Sequence, residues 1–174
     1  MKTLVLISAL CLAAGVKAQA TMGCPMHDQH QKSDDHAAGV DNRGDHAMGF
    51  SHETTAHHFT LLSDGGIIEV DIKADQDDVT RDQIRMHLTH IAAMFSDNNF
   101  DVPMFIHDRV PAGVPVMKEK HAAIHYTFQP TDRGGQVRIV THDPKALKAI
   151  HAFLAFQIQD HRTGDSPDVK AESM

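Results

Sequence analysis

Cysteine is nearly absent from this chain. Of its two copies, Cys11 and Cys24, the first falls in an apolar leader. A single remaining thiol cannot close an internal disulfide, so the fold must rest on an ordinary hydrophobic core. Long apolar runs are scarce too. One reaches from Leu4 to Val16, short for a bilayer span, and it sits between Lys2 and the small-residue segment Ala18-Gln19-Ala20. That order reads as a secretory signal over 1–20, cleaved after Ala20, and places the mature protein in the bacterial periplasm or beyond, without a membrane span. Basic charge is also in deficit. Against 23 Asp and Glu stand 16 Lys and Arg, for a formal net charge of −7. This balance argues against nucleic acid or an anionic membrane as partner, and it suits capture of cations. Enzyme signatures are missing as well. There is no His-Glu-x-x-His zinc helix, no Gly-x-Ser-x-Gly elbow and no Cys-x-x-Cys-His haem attachment, so no residue is assigned a catalytic role.

Histidine and methionine are what the chain has in quantity, 15 and 9 copies. Seven of the histidines lie between His27 and His58, in a stretch with almost no apolar pattern. Imidazole is the commonest ligand for borderline transition metals, and thioether sulfur adds a preference for Cu(I). The segment 21–55 reads as a metal-collecting arm. It buries too little apolar surface to offset its ordering entropy and is expected to be disordered.

From His57 the pattern becomes that of a folded α+β domain, expected over 56–164. His57 to Leu62 and Ile67 to Lys73 read as two strands. Ser63-Asp64-Gly65-Gly66 between them reads as a turn, because glycine takes positive φ. Ile68, Val70 and Ile72 alternate with charged residues, the mark of a half-buried strand. Asp77 to Asp97 is a helix with the stripe Ile84, Leu88, Ile91 and Phe95, capped by Asp77, Asp78 or Thr80. A short apolar run, Pro103 to His107, and a loop around Pro111 and Pro115 follow. The scheme then repeats. A strand from His121 to Phe128 and a turn at Asp132 to Gly135 precede a return strand through Val137 and Ile139. A helix capped by Asp143, with Pro144 at its first position, closes the unit. The expected architecture is two β-hairpin-plus-helix (ββα) units forming an antiparallel sheet under two helices, with a disordered tail over 165–174.

Two groups of residues and two single histidines could hold a metal. Cys24, Met26, His27 and His30 offer thiolate, thioether and two imidazoles within seven residues. On the first helix His87, His90 and Met94 fall within an arc of about 60°, beside the apolar stripe. His58 is the second residue of the first strand, and His107 precedes Asp108, a carboxylate placed to orient it. His151 faces the core and needs a hydrogen-bond partner there. His161 lies in a last helical turn, where the helix dipole alone accounts for an imidazole. His121 and His125 fall on a polar strand face.

The run Cys24-Pro25-Met26-His27 resembles the core of the small heavy-metal-binding domain of copper and silver efflux proteins. That likeness covers four residues and implies a metal role for Cys24, Met26 and His27. The segments Met48 to His52 and His57 to Phe59 also resemble those of uncharacterised exported bacterial proteins rich in His and Met. The reading that emerges is an exported copper-binding protein for capture, sequestration or handover to a periplasmic transfer partner. Zinc and haem are the alternative cofactors. The rival readings are a periplasmic metal- or haem-dependent enzyme using the helical histidines, and an interaction domain with a biased linker.

Overall fold

The computed structural model describes residues 25–170, with side chains from Asp34 onward; residues 1–24, among them the segment expected to be a secretory signal and Cys24, and residues 171–174 lie outside the described residues. The elements run α1 (Pro25–Met48), β1 (Thr55–Leu62), β2 (Gly65–Ile72), α2 (Asp78–Ser96), α3 (Asp101–His107), α4 (Val114–Glu119), a 3₁₀ turn (His121–Ala123), β3 (Ile124–Pro130), β4 (Gly134–Thr141), α5 (Pro144–His161) and β5 (Val169–Lys170). The chain is α+β, as its periodicities indicate.

The sheet is ordered β3-β4-β2-β1-β5. It is antiparallel except for β5, which runs parallel to β1 through Leu61 and Leu62. The sheet is therefore mixed, where the sequence pattern led us to expect a purely antiparallel one. Alternation works as anticipated: Ile68, Val70 and Ile72 are buried, and Glu69 and Asp71 stand half-exposed on the other face. The helices cross over. α2 lies against β3 and β4, the second hairpin, and α5 against β1 and β2, the first. Each hairpin is covered mainly by the helix that does not follow it in sequence. One core results, in which Ile84, Leu88, Phe95, Phe100, Ile139, Ile150, Phe153 and Leu154 are each at most 2% exposed.

Capping follows local chemistry. The Asp77 carboxylate accepts from the Thr80 N–H, and Asp143 accepts from the N–H groups of Lys145 and Ala146. The first glycine pair does different work from that expected. Leu62 pairs directly with Gly65, so the turn is Ser63-Asp64 and both glycines belong to β2. A Cβ on Gly66 would stand 2.2 Å from Leu154 Cδ1, so its absence lets α5 sit down on the sheet. On Gly134 it would meet the Val70 carbonyl oxygen at 2.0 Å, where β4 closes on β2.

Four expectations change. The run Pro103 to His107 is the body of helix α3, and the Pro115 region begins α4. His121 belongs to the 3₁₀ turn and not to β3. The arm is not disordered where it is described: α1 reaches Met48, buries Ala37 and Val40 to 5% and 1%, and donates from Arg43 Nε to the Ile106 carbonyl at 2.8 Å. Two small apolar residues three apart are enough once a partner surface exists, which composition cannot report. Residues 165–170 are likewise ordered, because Asp165 accepts from the Phe59 N–H at 2.9 Å and β5 adds to the sheet.

Candidate functional site

A cavity of about 70 Å³ lies between the sheet and the helices. Its walls are mostly apolar, with Phe59, Leu88, Phe95 and Phe153 among them, and four histidines line it: His57, His87, His107 and His161. Met48 and Gln157 complete its heteroatom-bearing side chains. Each reaches the cavity by the logic of its own element. His57 shares strand parity with the buried Phe59 and Leu61. His87 lies beside the α2 stripe of Ile84, Leu88 and Ile91. His161 ends α5 seven residues after Leu154, so it continues that helix's buried stripe. His107 ends α3 and is 1% exposed.

The rings are close. His57 and His161 are nearly parallel, with centroids 5.6 Å apart. His107 meets His161 edge to face at 4.9 Å, and Phe59 stacks on His161 at 5.8 Å. Phe50 meets His87 edge to face at 5.7 Å. Burial, followed by repulsion from neighbouring imidazoles, pushes His57 and His87 down to about 4 and His161 to about 3. At neutral pH all three rings are uncharged and carry a free lone pair. Their ring nitrogens have no hydrogen-bond partner among the described residues.

His107 is built differently. Its Nδ1 lies 2.5 Å from Asp160 Oδ2 and its Nε2 lies 2.9 Å from Gln157 Oε1. Burial lowers its pKa, more than the Asp160 and Gln157 hydrogen bonds raise it. In the neutral ring Nδ1–H donates to Asp160 and Nε2 only accepts, which turns the Gln157 NH₂ toward the ring. The charged ring instead takes the carbonyl, and then Gln157 Nε2 is buried without a partner. In either state one polar end of this amide is unsatisfied. Asp160 also accepts from His36 Nε2–H at 3.1 Å and from Arg109, and so ties α1 and α3 to α5. Burial favours its acid form, but the hydrogen bonds from His107 and His36 outweigh that, and its pKa lies below the usual carboxylate value.

Of the residues singled out from sequence, the cavity unites His87 and His107. His107 is oriented by Asp160 and not by Asp108, which is the left-handed C-cap of α3. His90 is exposed on α2, and Met94 packs against the core. His58 faces outward and pairs with Asp165 at 3.1 Å. Met26, His27 and His30 lie on α1 in a part whose side chains are not described, and Cys24 precedes the described residues. His151 has the core partner it needs, the Leu62 carbonyl at 2.8 Å. His121 and His125 are exposed. His57, His161, Met48 and Gln157 were missed as site residues. The parity of His57 with Phe59 and the seven-residue step from Leu154 to His161 were the signals available. Among the described residues no three His, Cys, Asp or Glu side chains stand ready to chelate one ion. Comparison with protein families, with characterised proteins and with solved structures finds no match.

Proposed function

We propose that this is an exported copper-binding protein whose folded domain holds Cu(I) between His57 and His161, with His87 and Met48 lining the same cavity. The observation that carries the reading is the His57–His161 pair: two neutral imidazoles, unpartnered among the described residues, with centroids 5.6 Å apart in an apolar wall. Metal–nitrogen bonds of about 2.0 Å place two imidazoles on one ion with centroids roughly 5–6 Å apart. The setting favours a monovalent soft ion. A divalent ion in an apolar cavity needs nearby carboxylates, and the Asp160 oxygens are already taken by His107, His36 and Arg109. Cu(I) needs fewer ligands and accepts thioether sulfur, which Met48 supplies. Zinc fits less well for the same reasons of charge and ligand number. A porphyrin is far larger than 70 Å³, so haem would require the helices to part. In this reading Cys24, Met26, His27 and His30 collect the ion outside the domain, and the leader exports the chain.

An anaerobic titration against a chromophoric Cu(I) chelator tests this. In the mature chain with Cys24→Ser, one Cu(I) equivalent should remain bound. It should be lost in His57→Ala and in His161→Ala and kept in His90→Ala. Equal binding by all four proteins would refute the site.

A further inference from the structure

We propose that a groove on the outer side of the His57–His161 pair is the vestibule through which copper is loaded, with His52 and His58 as transient ligands; this rests on the copper reading above. The groove is lined by Asp41, His52, His58 and Arg162, and also by His57 and His161. The same two imidazoles therefore bound both the polar groove and the apolar cavity, so an ion in the groove meets the holding pair from its solvent side.

The two outer histidines are arranged as ligands. His58 Nδ1 lies 3.1 Å from Asp165 Oδ1, and His52 Nδ1 lies 2.9 Å from Asp45 Oδ1. A carboxylate on Nδ1 fixes the tautomer and leaves the Nε2 lone pair as the free donor. Each carboxylate is itself pinned. Asp165 accepts from the Phe59 N–H at 2.9 Å and the Thr163 hydroxyl at 2.7 Å, and Asp45 accepts from the His52 N–H at 2.7 Å. The side chains of His52 and His58 are 40% and 47% exposed, open to an arriving ion. His52 Nε2 stands 4.0 Å from Asp41 Oδ2, too far for a hydrogen bond, so that oxygen does not occupy its lone pair. The groove cations are turned to other partners: Lys73 donates to the His52 and Glu53 carbonyls, and Arg162 faces Asp41. Because no three ligands converge here, these sites are stopping points, where each ligand exchange passes the ion inward and no site outcompetes the holding pair.

Stopped-flow transfer of Cu(I) from a chromophoric chelator into the Cys24→Ser mature chain tests the vestibule. Adding His52→Ala with His58→Ala should slow transfer about tenfold and leave the equilibrium stoichiometry and affinity unchanged. An unchanged rate would overturn the proposal. A loss of affinity as large as the loss of rate would also overturn it, by making these histidines part of a stable site. If the parent takes up no Cu(I), or His57→Ala keeps it, the holding site itself fails and the vestibule goes with it.

Discussion

Lowering the pH from 7.5 to 5.0 should destabilise the domain by about 3 kcal/mol through the cavity histidines alone. In the unfolded chain an imidazole titrates near its model value of 6.5, whereas folding holds His57 and His87 down to about 4 and His161 to about 3. Between those values the unfolded state binds more protons, so stability is complete above about pH 6.5 and is lost progressively as pH falls toward 4. At pH 5.0 each ring forfeits about 2 kcal/mol, and three independent rings about 6 kcal/mol. Water reaching the rings from the groove, and their mutual coupling, reduce this to about half, still a large share of the 5–15 kcal/mol typical of a domain. Urea unfolding followed by far-ultraviolet circular dichroism at the two pH values measures the loss. His57→Gln, which cannot titrate, should remove about a third of it. A free energy of unfolding that is the same at pH 7.5 and 5.0 would refute the reasoning, because it would mean that the rings protonate in place.

Three further outcomes follow from the packing. Val40→Ala should cost about 2 kcal/mol in urea unfolding, since Val40 is 1% exposed; a silent substitution would mean that α1 does not dock. Gly66→Ala forces a Cβ onto Leu154 and the Thr60 carbonyl oxygen and should lower stability by about 1–3 kcal/mol, with a melting curve as the check. Asp160→Ala strips the shared partner from His107, His36 and Arg109 and should cost about 3 kcal/mol; a loss below about 1 kcal/mol in the same assay would show that the hub is not structural.

Much of the fold was legible because it is encoded in local pattern. Alternation through Ile68, Val70 and Ile72 and the stripe from Ile84 to Phe95 are set by the geometry of one strand and one helix, and Asp77 and Asp143 cap their own helices within three residues. The class α+β follows from those pieces. The candidate site was legible only in part. His87 and His107 stood out by residue type and neighbours, whereas His58 and Met94 were chosen on the same grounds and turned out to face solvent and to pack against the core.

What the sequence determined by itself is the two hairpins, the helices α2 and α5 with their caps, and that imidazole is abundant. Tertiary structure decided which imidazoles meet. His57 and His161 are 104 residues apart and touch because α5 crosses back over the first hairpin instead of covering its own. That crossing depends on how β2 pairs with β4 and on the close approach that Gly66 permits, both contacts between distant segments. Burial, which keeps these rings neutral well below the pH at which a free imidazole takes up its proton, exists only once the layers are assembled. The same holds for α1: its composition predicts too little apolar area to fold alone, and it is ordered because α3 and α5 present a surface for Ala37 and Val40 to cover.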